Sequence, residues 1–222
     1  PRSTQSRSSA ASDVYKRQIY DNIVHEHVAY YSLKSLSFLF DSLGMEIIKA
    51  KVVDSYGGSL RVHVVKKSSK KVKLDSEVTA YEKKYEINNL SSVLAFNQRI
   101  HTIKEATLNI VNHIVEEDGK LVALGASTKG NMICQFVELG ADKIQYILDN
   151  NKKKIGLITT GTEIPIVEED QYLNEVPKYI LILPYYYIDF FIELIRKKLA
   201  KGEKSYLIVP LPVPHFIKVE SN

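Results

Sequence analysis

The sequence predicts an α/β protein that ends in a compact parallel-sheet domain. From Lys120 onward, short apolar runs alternate with amphipathic segments: KLVALGAS, TKGNMICQFVELG, KIQYILDN, KYILILPY, IDFFIELIRKKLAKG and SYLIVPL. Strands alternating with helices in this way build a parallel sheet with helices on its faces. Residues 76–117 carry helical periodicity instead, and residues 45–65 carry two runs of period two.

The elements follow in chain order. In SLKSLSFLFDSLG, residues 32–44, Ser32 is an N-cap candidate, and Leu33, Leu36, Phe40 and Leu43 fall on one helical face. Gly44 suits the position just past the helix end. In MEIIKAKVV, Ile48, Ala50 and Val52 alternate with Lys49 and Lys51; in SLRVHVV, Leu60, Val62 and Val64 alternate with Arg61 and His63. These are two half-buried strands, joined through Ser55, Tyr56, Gly57 and Gly58. The Lys-rich stretch 66–73 reads as a solvated boundary. In the second helix after it, Phe96, Ile100, Ile103, Ile110 and Ile114 repeat at helical spacing behind a Ser91 cap. The strand and helix runs from Lys120 onward follow, SYLIVPL being the last strand expected.

Composition excludes several classes. The net charge is +4, but residues 1–18 hold Arg2, Arg7, Lys16 and Arg17 against Asp13 and so supply most of it. A nucleic-acid binder concentrates positive charge on a folded face, so no nucleic-acid partner is expected. No apolar run approaches the roughly 20 residues of a membrane span, and no membrane association is expected. Cys134, the single cysteine, rules out an internal disulfide or a Cys-rich zinc site in this chain. Lying among apolar neighbours on a helix, it reads as core. A cytoplasmic location is the expectation. The Ser/Arg-rich segment 1–18 lacks apolar periodicity and is expected to be a non-native or disordered tail, with native sequence beginning near Ile19.

Three clusters carry chemistry. His25-Glu26-His27, with Tyr30 and Tyr31, precedes a helix, as catalytic loop residues commonly do. The two histidines are two apart, not the four apart of a zinc-protease helix; an exposed polar loop is the plainer reading. Gly57-Gly58-Ser59-Leu60-Arg61 is a hairpin turn or a place where a ligand comes close to the backbone. Gly125-Ala126-Ser127-Thr128-Lys129-Gly130-Asn131 lies between a strand and a helix. Its hydroxyls, ammonium and helix-start amides suit a phosphate, though a plain strand–helix turn explains it equally. Asp149 ends the next strand, where a dinucleotide-binding fold puts a ribose-binding acid.

Taken together and in order, YDNIVHEHVAYYSLKSL, SYGGSLRVHV, LGASTKGN, LDNNKKKIG, TTGTEIPI and IVPLP resemble the S-adenosylmethionine-dependent nucleotide-sugar C-methyltransferases. The resemblance implies four segments: a tail over 1–18, the end of a Rossmann-like methyltransferase domain over 19–67, a helical connector over 68–118, and a C-terminal Rossmann-like domain over 119–222. It implies that the zinc cysteines and the methyl-donor loop precede Ile19, so this chain alone is expected to give no methylated product. It also implies His27 as general base and Glu26 as its acidic neighbour. Family members commonly have a tyrosine where this sequence has Val24, and Tyr30 and Tyr31 are candidate replacements. Gly58, Ser59 and Arg61 are candidates for substrate contacts, as are Ser127, Lys129, Asn131 and Asp149 for the nucleotide-sugar. Two other readings stay open. One is a non-catalytic nucleotide or nucleotide-sugar binding module; the other, a nicotinamide-dependent dehydrogenase, fits Asp149 but lacks the glycine spacing.

Overall fold

A computed structural model describes residues 9–10, 20–24, 27, 29–53, 59–68, 74–84, 86 and 89–221. The chain divides into two compact units, Pro1–Ile100 and His101–Asn222.

In the first unit, β1 (Ser9–Ala10) pairs in parallel with β2 (Tyr30–Tyr31). Helix α1 (Leu33–Ser42) starts as the sequence predicts: the Ser32 hydroxyl accepts from Ser35 N at 3.0 Å, and the Ser35 hydroxyl accepts from Ser32 N at 2.9 Å. This reciprocal capping box uses serine where Glu or Gln is usual. Gly44 follows the helix at φ +68°, and its amide donates to Asp41 O. Leu43 is already leaving the helix as its C-cap and is 64% exposed, so it does not share the buried face with Leu33, Leu36 and Phe40.

Strands β3 (Met45–Val53) and β4 (Ser59–Lys66) pair antiparallel. The register runs Ile47 to Val64 and then Lys49 to His63, leaving Ile48 as an extra residue. That bulge shifts the inward phase by one. Ile47, rather than the predicted Ile48, therefore joins Ala50 and Val52 in the core with Leu60, Val62 and Val64. Residues 54–58, including the expected turn and Gly58, lie outside the described residues. On the other edge of β3 lies β5 (Asp75–Ser76), and the Ser76 hydroxyl accepts from Val78 N at 3.1 Å to open α2 (Val78–Lys84). Buried Glu82, from α2, accepts from Leu33 N at 2.5 Å and Lys34 N at 3.3 Å. A carboxylate at a helix N-terminus satisfies amides that the helix cannot.

Helix α3 (Leu90–Asp118) is capped by Asn89, whose side-chain oxygen accepts from Ser91 N at 3.1 Å. Ser91 is thus inside the first turn instead of before it. The buried stripe is Phe96, Ile100, Ile103, Thr107, Val111 and Ile114. Ile110 is only half-buried, and Thr107 fits the stripe by returning its hydroxyl to Ile103 O at 2.8 Å.

The second unit is built on β6 (Leu121–Leu124), α4 (Thr128–Val137), β7 (Ile144–Asp149), β8 (Ile166–Glu168), α5 (Glu169–Tyr172), β9 (Tyr179–Ile182), α6 (Ile188–Lys198), β10 (Lys204–Val209) and β11 (His215–Glu220). The sheet order is β11-β10-β9-β6-β7-β8, parallel except for β11 on β10. Two strands depart from the sequence reading. Ile166–Glu168, to which the sequence reading assigns no strand, is edge strand β8, and β10 is not last because β11 returns antiparallel beside it. On one face, Val122, Leu124, Leu148, Ile180, Ile182, Leu207 and Val219 pack with Phe191, Ile195 and Leu199 from α6 and its end.

Removing the nonlocal cap tests its weight. In urea unfolding followed by circular dichroism, Glu82→Ala is expected to lose about 1–3 kcal/mol, the cost of leaving buried amides without an acceptor. Glu82→Gln, which keeps one oxygen there, is expected to lose less.

Candidate functional site

The first cluster forms around one buried carbonyl. Tyr20, Asp21 and Asn22 are buried, and the chain turns over them through Ile23 N to Tyr20 O and His27 N to Val24 O, each 2.9 Å. Asn22 O accepts from Val24 N at 3.0 Å, from the Tyr30 hydroxyl at 2.9 Å and from His27 Nδ1 at 2.7 Å. A carbonyl only accepts, so Nδ1 of His27 carries the proton. In the neutral ring, Nε2 then holds the lone pair. The two rings meet edge to face, 6.3 Å between centroids. Partial burial pushes the Tyr30 phenol above its ordinary range, and its proton is given to Asn22 O. Val24 is half-buried. Glu26 lies outside the described residues, as does Gly58.

Ser59 opens β4 opposite Val53, and Arg61 stands opposite Lys51. Lys49, Lys51, Arg61 and His63 are all exposed, and the pairing puts them on one face. Like charges placed directly across a strand pair are unfavourable, and Arg61 stands across from Lys51.

The second cluster, in the other unit, is the loop between β6 and α4. Ser127 is the N-cap, its hydroxyl accepting from Gly130 N at 2.9 Å and its carbonyl from Asn131 N at 2.8 Å. Asp149, at the end of β7, is 9% exposed. Its two oxygens accept from Ala126 N and Asn151 N, each at 2.8 Å. Lys154 completes a clamp, donating to Ala126 O at 2.7 Å and lying 3.5 Å from Asp149 Oδ2. Asp149 therefore braces the loop, and each oxygen keeps a lone pair for a further donor. Lys129 Nζ stands 5.3 Å from the Tyr186 ring centroid. Asn131 Oδ1 is buried without a hydrogen-bond partner among the described residues.

Both loop glycines answer to packing. Gly125 has φ +90°, and a Cβ there would come 2.3 Å from Pro184 Cγ; one on Gly130 would come 2.8 Å from Leu183 Cβ. Cys134 is fully buried, and burial pushes its thiol up to about 12, so it is inert as a nucleophile. Among the described residues, no group of three or more His, Cys, Asp or Glu could hold a metal, and no helix is long and apolar enough to cross a membrane.

The structure thus joins His27 to Tyr30 through Asn22 O, and Asp149 to the Ala126 amide that precedes Ser127. It adds Asn22 and Lys154, which sequence reasoning missed although both lie in recognised motifs, YDN and LDNNKKKIG. Their roles run through backbone carbonyls, which leave no side-chain signature.

Two measurements test the braced loop. Asp149→Ala is expected to speed hydrogen exchange of the Ala126 amide about tenfold or more, since that amide loses its buried acceptor. Gly125→Ala is expected to cost about 1–3 kcal/mol more stability than Gly202→Ala, the overpacking against Pro184 being the difference. Gly202 also has positive φ, at +86°, but open space around it.

Comparison with known proteins places the chain. Residues 54–212 match the family described as C-methyltransferase C-terminal domain. The chain is 32% identical over 213 residues to the C-methyltransferase NovU of Streptomyces niveus, which covers 95% of this chain and 50% of that protein. It spans about half the length of that curated relative. The chain belongs to the C-methyltransferase C-terminal domain family.

Proposed function

We propose that this chain serves the transfer of a methyl group to a ring carbon next to the ketone of a nucleotide-linked deoxysugar, with His27 as the base. One observation supports the base above all: Asn22 O takes the Nδ1 proton of His27 at 2.7 Å, which leaves Nε2 as the ring's acceptor. A C–H beside a ketone must lose its proton before that carbon can act as a nucleophile, and a neutral imidazole accepts protons near pH 7. The proton passes to Nε2, the C–H pair becomes the enolate, and the enolate carbon then takes up the methyl group. S-adenosylmethionine supplies, when bound, an electrophilic methyl on a sulfonium whose C–S bond breaks as the new C–C bond forms.

The remaining roles follow the residues. Glu26 is proposed to stabilise the imidazolium, and Gly58, Ser59 and Arg61 to face the substrate. Arg61 is supported by its like-charged neighbour Lys51, which an anionic ligand would relieve. Ser127, Lys129, Asn131 and Asp149 are proposed to hold the nucleoside diphosphate. To donate to the enolate oxygen, Tyr30 must exchange its bond with Asn22 O for one to the substrate. Nucleotide sugars and S-adenosylmethionine put the reaction in the cytoplasm.

The test separates deprotonation from methyl transfer. In D2O with a thymidine-diphosphate-linked 4-keto sugar, the chain is expected to exchange deuterium into the carbon beside the ketone. His27→Asn is expected to slow that exchange by about a hundredfold or more, the usual contribution of a general base. Undiminished exchange by His27→Asn would remove His27 as the base. Tight binding with no exchange by the unmodified chain would favour a nucleotide-sugar binding module instead.

A further inference from the structure

The sheet order reverses between β6 and β9. The chain leaves β6 through α4 toward β7, and it leaves β9 through α6 toward β10. Loops that part in opposite directions from two parallel neighbours open a crevice at the carboxyl ends of the strands, where open α/β sheets take ligands. The floor of this crevice is tight: Leu183 N donates to Leu124 O at 3.1 Å, and Pro184 lies against Gly125 with no room for a Cβ. The loop from β9 then makes a 3-10 turn of three consecutive tyrosines, Tyr185–Tyr187. Their rings meet edge to face, 5.5 Å apart from Tyr185 to Tyr186 and 4.7 Å from Tyr186 to Tyr187. Tyr187 is 57% exposed, and the other two are half-buried. From the loop after β6, Lys129 brings its ammonium 5.3 Å from the Tyr186 centroid. A cation and an aromatic face, held by different loops, thus meet at the switch point.

We propose that Tyr186 is the stacking platform for the base of a nucleoside diphosphate, and that Lys129 exchanges the Tyr186 ring for the diphosphate when that ligand binds. The inference rests on the reading that the second unit holds the nucleotide end of the substrate, and adds to it the group that receives the base. The chemistry is matched on both sides. A nucleobase offers a flat π face to an aromatic ring, and a diphosphate offers an ammonium a stronger partner than a ring quadrupole. Neighbours Tyr185 and Tyr187 meet Tyr186 at interplanar angles of 76° and 63°, contacts that restrict its ring.

The experiment is calorimetry on the full 222-residue chain with two probes, thymidine diphosphate and inorganic pyrophosphate. Tyr186→Ala is expected to weaken thymidine diphosphate about tenfold or more while Tyr186→Phe, which keeps the ring, stays within about twofold of the unmodified chain. Neither change should move pyrophosphate, whereas Lys129→Ala should weaken both probes. Thymidine diphosphate bound equally well by Tyr186→Ala would overturn the platform and leave the nucleotide site standing. Equal loss of both probes in Tyr186→Ala would also overturn it, because the tyrosine would then be holding the loop. If the unmodified chain binds neither probe, the nucleotide-site reading itself fails, and the platform with it.

Discussion

The proposed chemistry depends on one backbone oxygen. Asn22 O lies in a buried turn and accepts from Val24 N, His27 Nδ1 and the Tyr30 hydroxyl. A buried carbonyl without donors is costly, and here three donors satisfy it. One is the amide that closes the turn; the other two are the side chains of His27 and Tyr30. The same bond that stabilises the turn therefore fixes the tautomer of His27 and the position of the Tyr30 ring beside it. Because the acceptor is main chain, the side chain at position 22 has no part in that choice.

The second unit works by the same economy of local parts. Gly125 and Gly130 let the loops after β6 and β9 approach until Pro184 and Leu183 touch backbone. Asp149 and Lys154 then clamp Ala126 from both its amide and its carbonyl. The loop is ordered by its own bonds, so a ligand that uses Ser127 and Lys129 has little ordering entropy to overcome. The cost of that rigidity lies in sequence choice: two glycines and one buried acid are fixed by packing before any ligand is considered.

Much of this was legible from residue order. Ser32 and Ser127 cap helices as short polar side chains do before an apolar periodic run, and the inward residues of β4 follow strict alternation. Where reading failed, the cause was nonlocal or too short to show a period. Ile48 satisfied the alternation and Ile47 did not, and only the pairing with β4 reveals the bulge that turns Ile47 inward. Asn89 and Ser91 are both good caps, and the first helical residue, Leu90, decides between them. Three residues of β8, one following Pro165, give no pattern of their own, and β11 follows a proline-rich segment that hid it. Glu82 caps a helix 49 positions away, which no local window contains.

The residues that break local rules point toward function more clearly than those that obey them. Lys51 faces Arg61 on an exposed strand pair where opposite charges would stabilise the sheet. Three adjacent tyrosines occupy a surface turn that a smaller polar residue would fill at less cost. Natural sequences depart from such preferences chiefly where a site requires it. The two departures are also of different kinds. The first concentrates positive charge and suits an anion; the second concentrates flat apolar rings beside a lysine and suits a nucleobase. Each departure lies within its own unit, the cations on β3 and β4 and the rings on the loop after β9. A protein that only bound nucleotides would need the rings and the cations but would have no use for a histidine of fixed tautomer. The histidine is therefore the residue on which the proposal of catalysis, as against simple binding, rests.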